Sequence, residues 1–578
     1  MDDREKRPWG AYLGFGLVVI SYIAALTNVF RTGQEQTWTN KKVIRICHWQ
    51  LETGFREAFD WVIGEYEKIH PDVKVIQLAI PDKAYQQYIV TQFVGRTAPD
   101  IIEAGQLANS SEATNSTIAR YFYGLSELVY QPNPYNDGNE LKGVPWIHTF
   151  KHDLEWNWDA ANLDYYTIGI TGISRRLVYN KTLLKKITGR DVPPSNFRAF
   201  LDMCKQVKKY SDSTGQQVYA LAAAKYQYED IVEKLRTSLT VPHGRDTIDR
   251  NMDAQGDPGI EPFFGWLEGR FKLDDDRARI SNEPARELLP YVEPGFMAKD
   301  RQDAAFSFSQ KKALMILTAS WDMNSMVVQA RASGFELGVM EFPIPDGNDP
   351  KYGKYAEGVS GEYKDFNMPF GVCKLSRHAD VAIDFLRFYS SKEIAEGFCE
   401  RCGWMCAIRG TKDVDFIEGF EPTYVGYSFL GNPWIIGNET YTLKEQLKWD
   451  FYMGKISFDE FVKRYVNQLI PLGAKDLNYN TALYKNGLVP SGQALSSLAL
   501  RLRYAADEKE RDHLRFRLTN AAESYASYWT NLQTTVYQLL MIMNIDNERT
   551  RALKKELQYR MFIDQFVNAQ EKPRGPNP

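Results

Sequence analysis

Three carboxylates near predicted strand ends, Glu52, Glu103 and Asp322, are the residues best suited to chemistry. Two carboxyl groups at a set separation hydrolyse glycosides, one as acid and the other as base or nucleophile. The same groups accept hydrogen bonds from sugar hydroxyls, and this is the preferred reading. The 578 residues contain no nucleophile elbow, P-loop, His-Glu-x-x-His or dinucleotide pattern, and nothing implies a cofactor or a catalytic metal. Aromatic and polar side chains at the same strand ends, Trp49, Gln106 and Trp321, and at the end of another, Tyr226 and Tyr228, extend the binding reading. A pyranose has an apolar C–H face and a rim of hydroxyls, so its receptor needs flat rings together with hydrogen-bonding groups. For each of these rings, burial in a core is the alternative.

The elements that must position these groups centre on residues 306–347. Residues 313–317 form a continuous apolar run, which suits a strand buried on both faces. Residues 321–332 read as a helix with Ser320 as its cap. A strand over 335–342 follows and stops at Pro343 and Pro345. Trp321 and Asp322 therefore sit where a buried strand hands over to a helix, the edge at which α/β sheets bind ligands. Near the start of the chain, strands at 43–49, 72–80 and 100–104 alternate with helices at 55–69 and 84–94, a doubly wound α/β pattern.

The stretch from Phe306 to Trp321 resembles the F-x(3–5)-Gly-Lys-x-Ala-Met-x(2–4)-Gly-x-Trp signature of the extracellular solute-binding proteins of sugar importers, the group of maltose-binding protein. Phe306, Lys311, Ala313 and Trp321 match; Gln310 and Ala319 stand where glycine is usual, and Leu314 replaces the methionine. The resemblance extends in element order over residues 43–475, through the His70-Pro71-Asp72 turn and the Tyr179-Asn180-Lys181 crossover. It implies a two-lobe α/β fold of the type II periplasmic-binding-protein kind that closes over a saccharide and docks on the permease subunits of an ABC transporter. It also implies that Trp321 stacks on the sugar, that Trp434 supplies another platform by position, and that Trp404 lies in the family's extended segment. The expected domains are an N-terminal segment (1–42), a first lobe (43–175 and 341–410), a second lobe (176–340 and 411–475) and a C-terminal helical extension (476–578). Residues 249–279 read as a polar insertion. A membrane-anchored glycan hydrolase and an anchored sensory or scaffolding receptor are the rival functions.

A formal net charge of -4 leaves no footprint for nucleic acid. Residues 10–30 are mostly apolar and uncharged, long enough to span a bilayer, so an uncleaved N-terminal transmembrane anchor is expected, with a cleaved signal as the alternative. Either way the bulk of the chain is exported to the periplasmic side of the cytoplasmic membrane. Cys47, Cys204 and Cys373 read as core residues; Cys399, Cys402 and Cys406 cluster as C-x-x-C-x-x-x-C and read as free thiols or a local disulfide, a metal site being the remaining alternative, without a fourth ligand nearby. In the tail, Leu518, Ala522, Tyr525, Trp529, Leu532, Val536, Leu539 and Met543 repeat at heptad spacing, which predicts a helical seam buried against its own second helix or the second lobe, with a partner or self-association surface as the alternative. A second helix is expected over 551–566.

Overall fold

The computed structural model describes residues 41–52, 54–107, 117–159, 164–248, 260–270, 272–356, 366–422 and 435–557. The helix expected over 10–30 and Trp434 lie outside them. Among the described residues no helix is long and apolar enough to cross a membrane.

The first lobe begins with β1 (Lys42–His48), α1 (Phe55–Ile69), β2 (Val73–Ala79), α2 (Asp82–Gly95) and β3 (Ile101–Glu103). Phe55, Ala58, Phe59, Val62, Ile63 and Tyr66 recur at three- and four-residue spacing, so α1 buries one face on the sheet. Gly54 precedes α1 at φ 87°, and a Cβ there would lie 2.9 Å from the Arg401 carbonyl oxygen, so only glycine fits. Both β2 and β3 run parallel to β1, with Ile44 opposite Val75 and Ile46 opposite Ile101.

The chain then enters the second lobe through β4 (Arg175–Asn180), α3 (Lys181–Thr188), α4 (Phe197–Thr214), β5 (Tyr219–Ala222) and α5 (Lys225–Ile248). It continues with α6 (Ile260–Glu268), α7 (Arg301–Ser309), β6 (Ala313–Ala319), α8 (Met323–Ala332) and β7 (Leu337–Met340). The sheet order is β7-β4-β6-β5. As the apolar run demands, β6 is buried at every position. The next helix starts later than expected: Ser320–Asp322 is a 3-10 turn, and no side chain caps α8. The backbone N–H of Ser320 donates to the Ser174 carbonyl at 3.1 Å instead. Residues 249–279 are not simply a polar insertion, because α6 sinks Phe263, Phe264, Trp266 and Leu267 into the second-lobe core. The Gly and Pro residues around that short apolar stretch hid it.

Back in the first lobe, β8 (Phe370–Val372) pairs antiparallel with β3, giving the order β8-β3-β1-β2, and is followed by α9 (Ala379–Tyr389) and α10 (Lys392–Cys402). The helices α11 (Asn438–Tyr452), α12 (Phe458–Arg503), α13 (Glu508–Met543) and α14 (Glu548–Glu556) complete the described chain. The boundary expected at 475 is not a break. Helix α12 runs through Pro471 and Pro490 for 46 residues. An interior proline costs a helix about 3 kcal/mol. Leu469, Ala474 and Leu477 continue the second-lobe face across Pro471, and their burial offsets that cost.

The tail seam is corrected more deeply. Of the eight expected positions only Leu539 and Met543 are buried, while Tyr525 and Trp529 are exposed. Asn520, Ser524 and Tyr528 turn inward instead. The reason is the surface that α13 covers: the Gly124 N–H donates to Asn520 Oδ1, and Lys374 Nζ donates to Ser524 Oγ at 2.9 Å. All six cysteines are free thiols buried in the lobes.

Candidate ligand-binding site

Past the end of strand β1 come Trp49, Gln50 and Glu52, while β3 ends at Glu103 and is followed by Gly105 and Gln106. The two strands are adjacent and parallel, so these residues share one edge of the first lobe. Trp49 is half-buried with its ring 4.9 Å from that of Tyr85. A Cβ at Gly105 would lie 2.7 Å from the Trp49 ring, so glycine lets the indole lie across the strand end. Glu103 is fully buried. It accepts from the Gln50 amide and from the Trp49 backbone N–H at 3.2 Å, and burial pushes its carboxyl well above the usual range. Glu103 thus tethers the end of β1 and is withdrawn from any catalytic pair. Gln106 is half-buried at the same end.

The second lobe presents Trp321 and Asp322 after β6, and Tyr226 after β5. Arg301, the first residue of α7, joins the lobes: its guanidinium donates to Glu52 Oε1, and its Nε lies 3.7 Å from Asp322 Oδ1. The same guanidinium lies over Trp321, 5.6 Å from the ring centroid. Burial opposes the Arg301 charge, but Asp322 and Glu52 outweigh it and raise the pKa. Burial raises Asp322 too, with Arg301 opposing. Beside them Arg175 pairs with Asp230 at 3.1 Å, and burial pushes Asp230 up to about 6 despite that partner. Tyr226 is 40% exposed, yet desolvation and Asp230 push its hydroxyl up to about 12.

Glu52, Trp321, Asp322 and Tyr226 therefore gather around one guanidinium, with Trp49 and Gln106 on the facing edge. Two expected residues do not join them. Tyr228 is fully buried in the second-lobe core and donates its hydroxyl to the Ala285 carbonyl at 2.6 Å. Trp404 is buried in the first-lobe core beside Phe55, with 5.4 Å between ring centroids. Its indole N–H donates across the lobes to the Trp321 carbonyl oxygen at 3.2 Å, so it positions Trp321 from behind. Arg301, Arg175 and Asp230 escaped the sequence reading. A signal for Arg301 exists: Asp300 and Asp303 form a capping box, which marks Arg301 as the first residue of a helix. Among the described residues no group of three or more potential ligands could hold a metal ion.

Two α/β lobes with polar and aromatic residues meeting at their strand ends define a two-lobe binding protein. The chain matches the model of the bacterial extracellular solute-binding proteins over residues 52–396 and belongs to that family, whose members bind solutes and are not enzymes. Similar solved structures include RafE in complex with raffinose, 13% identical with a TM-score of 0.52, where 75% of this chain covers 100% of that one. A chitin oligosaccharide binding protein is 12% identical with a TM-score of 0.53, at 74% and 97% coverage. The MsmE binding protein of Bacillus subtilis, in an open conformation, is 13% identical with a TM-score of 0.50, again at 74% and 97%. At such identity the likeness is one of fold. No curated protein matches the chain in sequence.

Proposed function

We propose that this protein captures a carbohydrate between its two lobes, outside the cytoplasmic membrane, and delivers it to the permease of an ABC-type importer. The observation that carries this reading is the half-buried Trp321 ring beside the carboxylates of Glu52 and Asp322, drawn from opposite lobes. A ring for the sugar's C–H face next to acceptors for its hydroxyls is what a saccharide site requires. The similar structures named for raffinose and chitin oligosaccharides support the ligand class. Trp49, Gln106 and Tyr226 complete the proposed contacts, and the apolar segment over residues 10–30 tethers the protein to the membrane. Ligand drives closure only if it favours the closed state energetically.

A thermal-shift screen of the protein against mono- and oligosaccharides tests the proposal. The right sugar at 100 times its Kd adds about 2.7 kcal/mol of stability. Release of shortened sugar at catalytic rates would overturn binding in favour of hydrolysis.

A further inference from the structure

We propose that Arg301 is an internal competitor for the ligand site: it covers the Trp321 ring and engages Glu52 and Asp322, and a saccharide must displace it. This rests on the saccharide reading above. The position of Arg301 is set by the Asp300–Asp303 capping box at the start of α7. From there its guanidinium carbon lies 5.6 Å from the Trp321 ring centroid, it donates to Glu52 of the first lobe, and it faces Asp322 of its own lobe at 3.7 Å. Trp321 also packs against the first-lobe core, so the face under Arg301 is the one a sugar ring can reach.

A guanidinium is flat, with N–H donors around its rim. It therefore meets the same two demands as a pyranose: it lies over the indole, donates to Glu52 and pairs with Asp322. Both cannot do so at once. The cluster also sets ligand charge. One guanidinium faces two carboxylates, and once Arg301 moves aside Glu52 and Asp322 are left for the ligand. Hydroxyl donors of an uncharged saccharide suit them, whereas the carboxylate of an acidic sugar meets like charge. Arg301 is thus a determinant of both affinity and ligand class.

The test uses the full chain with Arg301→Ala and Arg301→Lys. Apparent affinity falls by the fraction of protein whose site is accessible. Removing the competitor should tighten binding of the uncharged oligosaccharide found by the screen about tenfold. Arg301→Lys, which keeps the charge without the flat fork, should fall between. A second readout needs no sugar: the ¹⁹F resonance of 5-fluorotryptophan at position 321, assigned by its loss in Trp321→Phe, should gain a solvent isotope shift in Arg301→Ala. Unchanged or weaker affinity in Arg301→Ala, or a resonance as shielded as in the wild type, overturns the proposal. If the resonance becomes exposed but no saccharide binds any form, the covering role of Arg301 stands and the saccharide reading fails.

Discussion

At the scale of single residues, Trp321 and Trp404 separate binding from stability. Trp404 is sealed in the first-lobe core and bonds the Trp321 carbonyl, while Trp321 is only half-buried. Covering about 100 Å² of the Trp321 ring is worth roughly 2.5 kcal/mol. Trp321→Ala should therefore weaken saccharide binding ten- to a hundredfold with a small change in melting. Trp404→Ala should cost about 3–5 kcal/mol of stability; titration and melting on the same samples check both. His48 gives a pH prediction. Burial between Phe55 and Phe59 lowers its pKa to about 4, with Gln77 bonded to its ring. Unfolded histidine takes up its proton near pH 6.5 and the native one only near 4, so stability is lost as the pH falls through that window. The loss is about 3 kcal/mol, and a melting series of wild type against His48→Gln should show a flatter acid limb in the variant. In the candidate site, the places of Glu52, Trp321 and Asp322 just past strand ends were legible, because a strand's end can be read from its apolar run. Tyr226 and Tyr228 were not separable. They lie two apart on α5, nearly opposite on a helix, so one points outward and the other into the core.

At the scale of elements, legibility followed what each pattern demands of its surroundings. The run in β6 requires burial on both faces whatever it packs against, and all its positions are buried. The seam in α13 required a partner surface that the sequence does not describe. Its aromatics counted as apolar, but the first lobe offers α13 a backbone N–H, a lysine and a glutamate, so polar side chains face inward. Leu514 and Tyr528 are buried earlier along the helix, but only past Thr535 do its side chains enter a lobe core, where Leu539, Ile542 and Met543 join the second-lobe core with Leu553 of α14. The start of α7 at Arg301 could be read from its capping box, but the partner of Arg301 could not, since Glu52 lies 249 residues away in the other lobe. The helix therefore divides its own energetics. Ile542→Ala should cost about 2–5 kcal/mol by opening a cavity. Tyr537→Ala, at a residue 64% exposed, should stay within about 0.5 kcal/mol. Chemical denaturation of the two variants checks the contrast.

At the scale of the whole molecule, α13 is a strap across the two lobes. Its far end is rooted in the second-lobe core, where Asn547 donates to the Leu267 carbonyl at 2.9 Å and the Arg549 guanidinium lies 4.3 Å from the Trp266 ring centroid. Its near end meets the first lobe through polar contacts: Asn520 with the Gly124 N–H, Ser524 with Lys374, and Thr519 with Glu127 at 3.4 Å. About a quarter of the chain lies outside its alignment with the similar solved structures, and the family match ends at residue 396, before the strap begins. The two ends differ in strength. Removing a core root costs several kcal/mol, whereas a polar contact contributes about 0.5–1.5 kcal/mol. When the lobes move apart, the first-lobe contacts must therefore give way while α13 stays with the second lobe. Across the cleft, the Asn324 amide donates to the Cys402 carbonyl at 3.3 Å and the Trp404 indole N–H to the Trp321 carbonyl at 3.2 Å, linking the lobes in the same arrangement. The strap and the cleft thus favour one closed geometry. Replacing both Asn520 and Ser524 by alanine should remove about 1–3 kcal/mol of that preference. Small-angle scattering of the double variant should show a larger radius of gyration than the wild type, and its saccharide affinity should fall by up to about a hundredfold. Identical scattering curves, with no faster hydrogen exchange at Gly124, would mean that α13 rides on the second lobe without restraining the first.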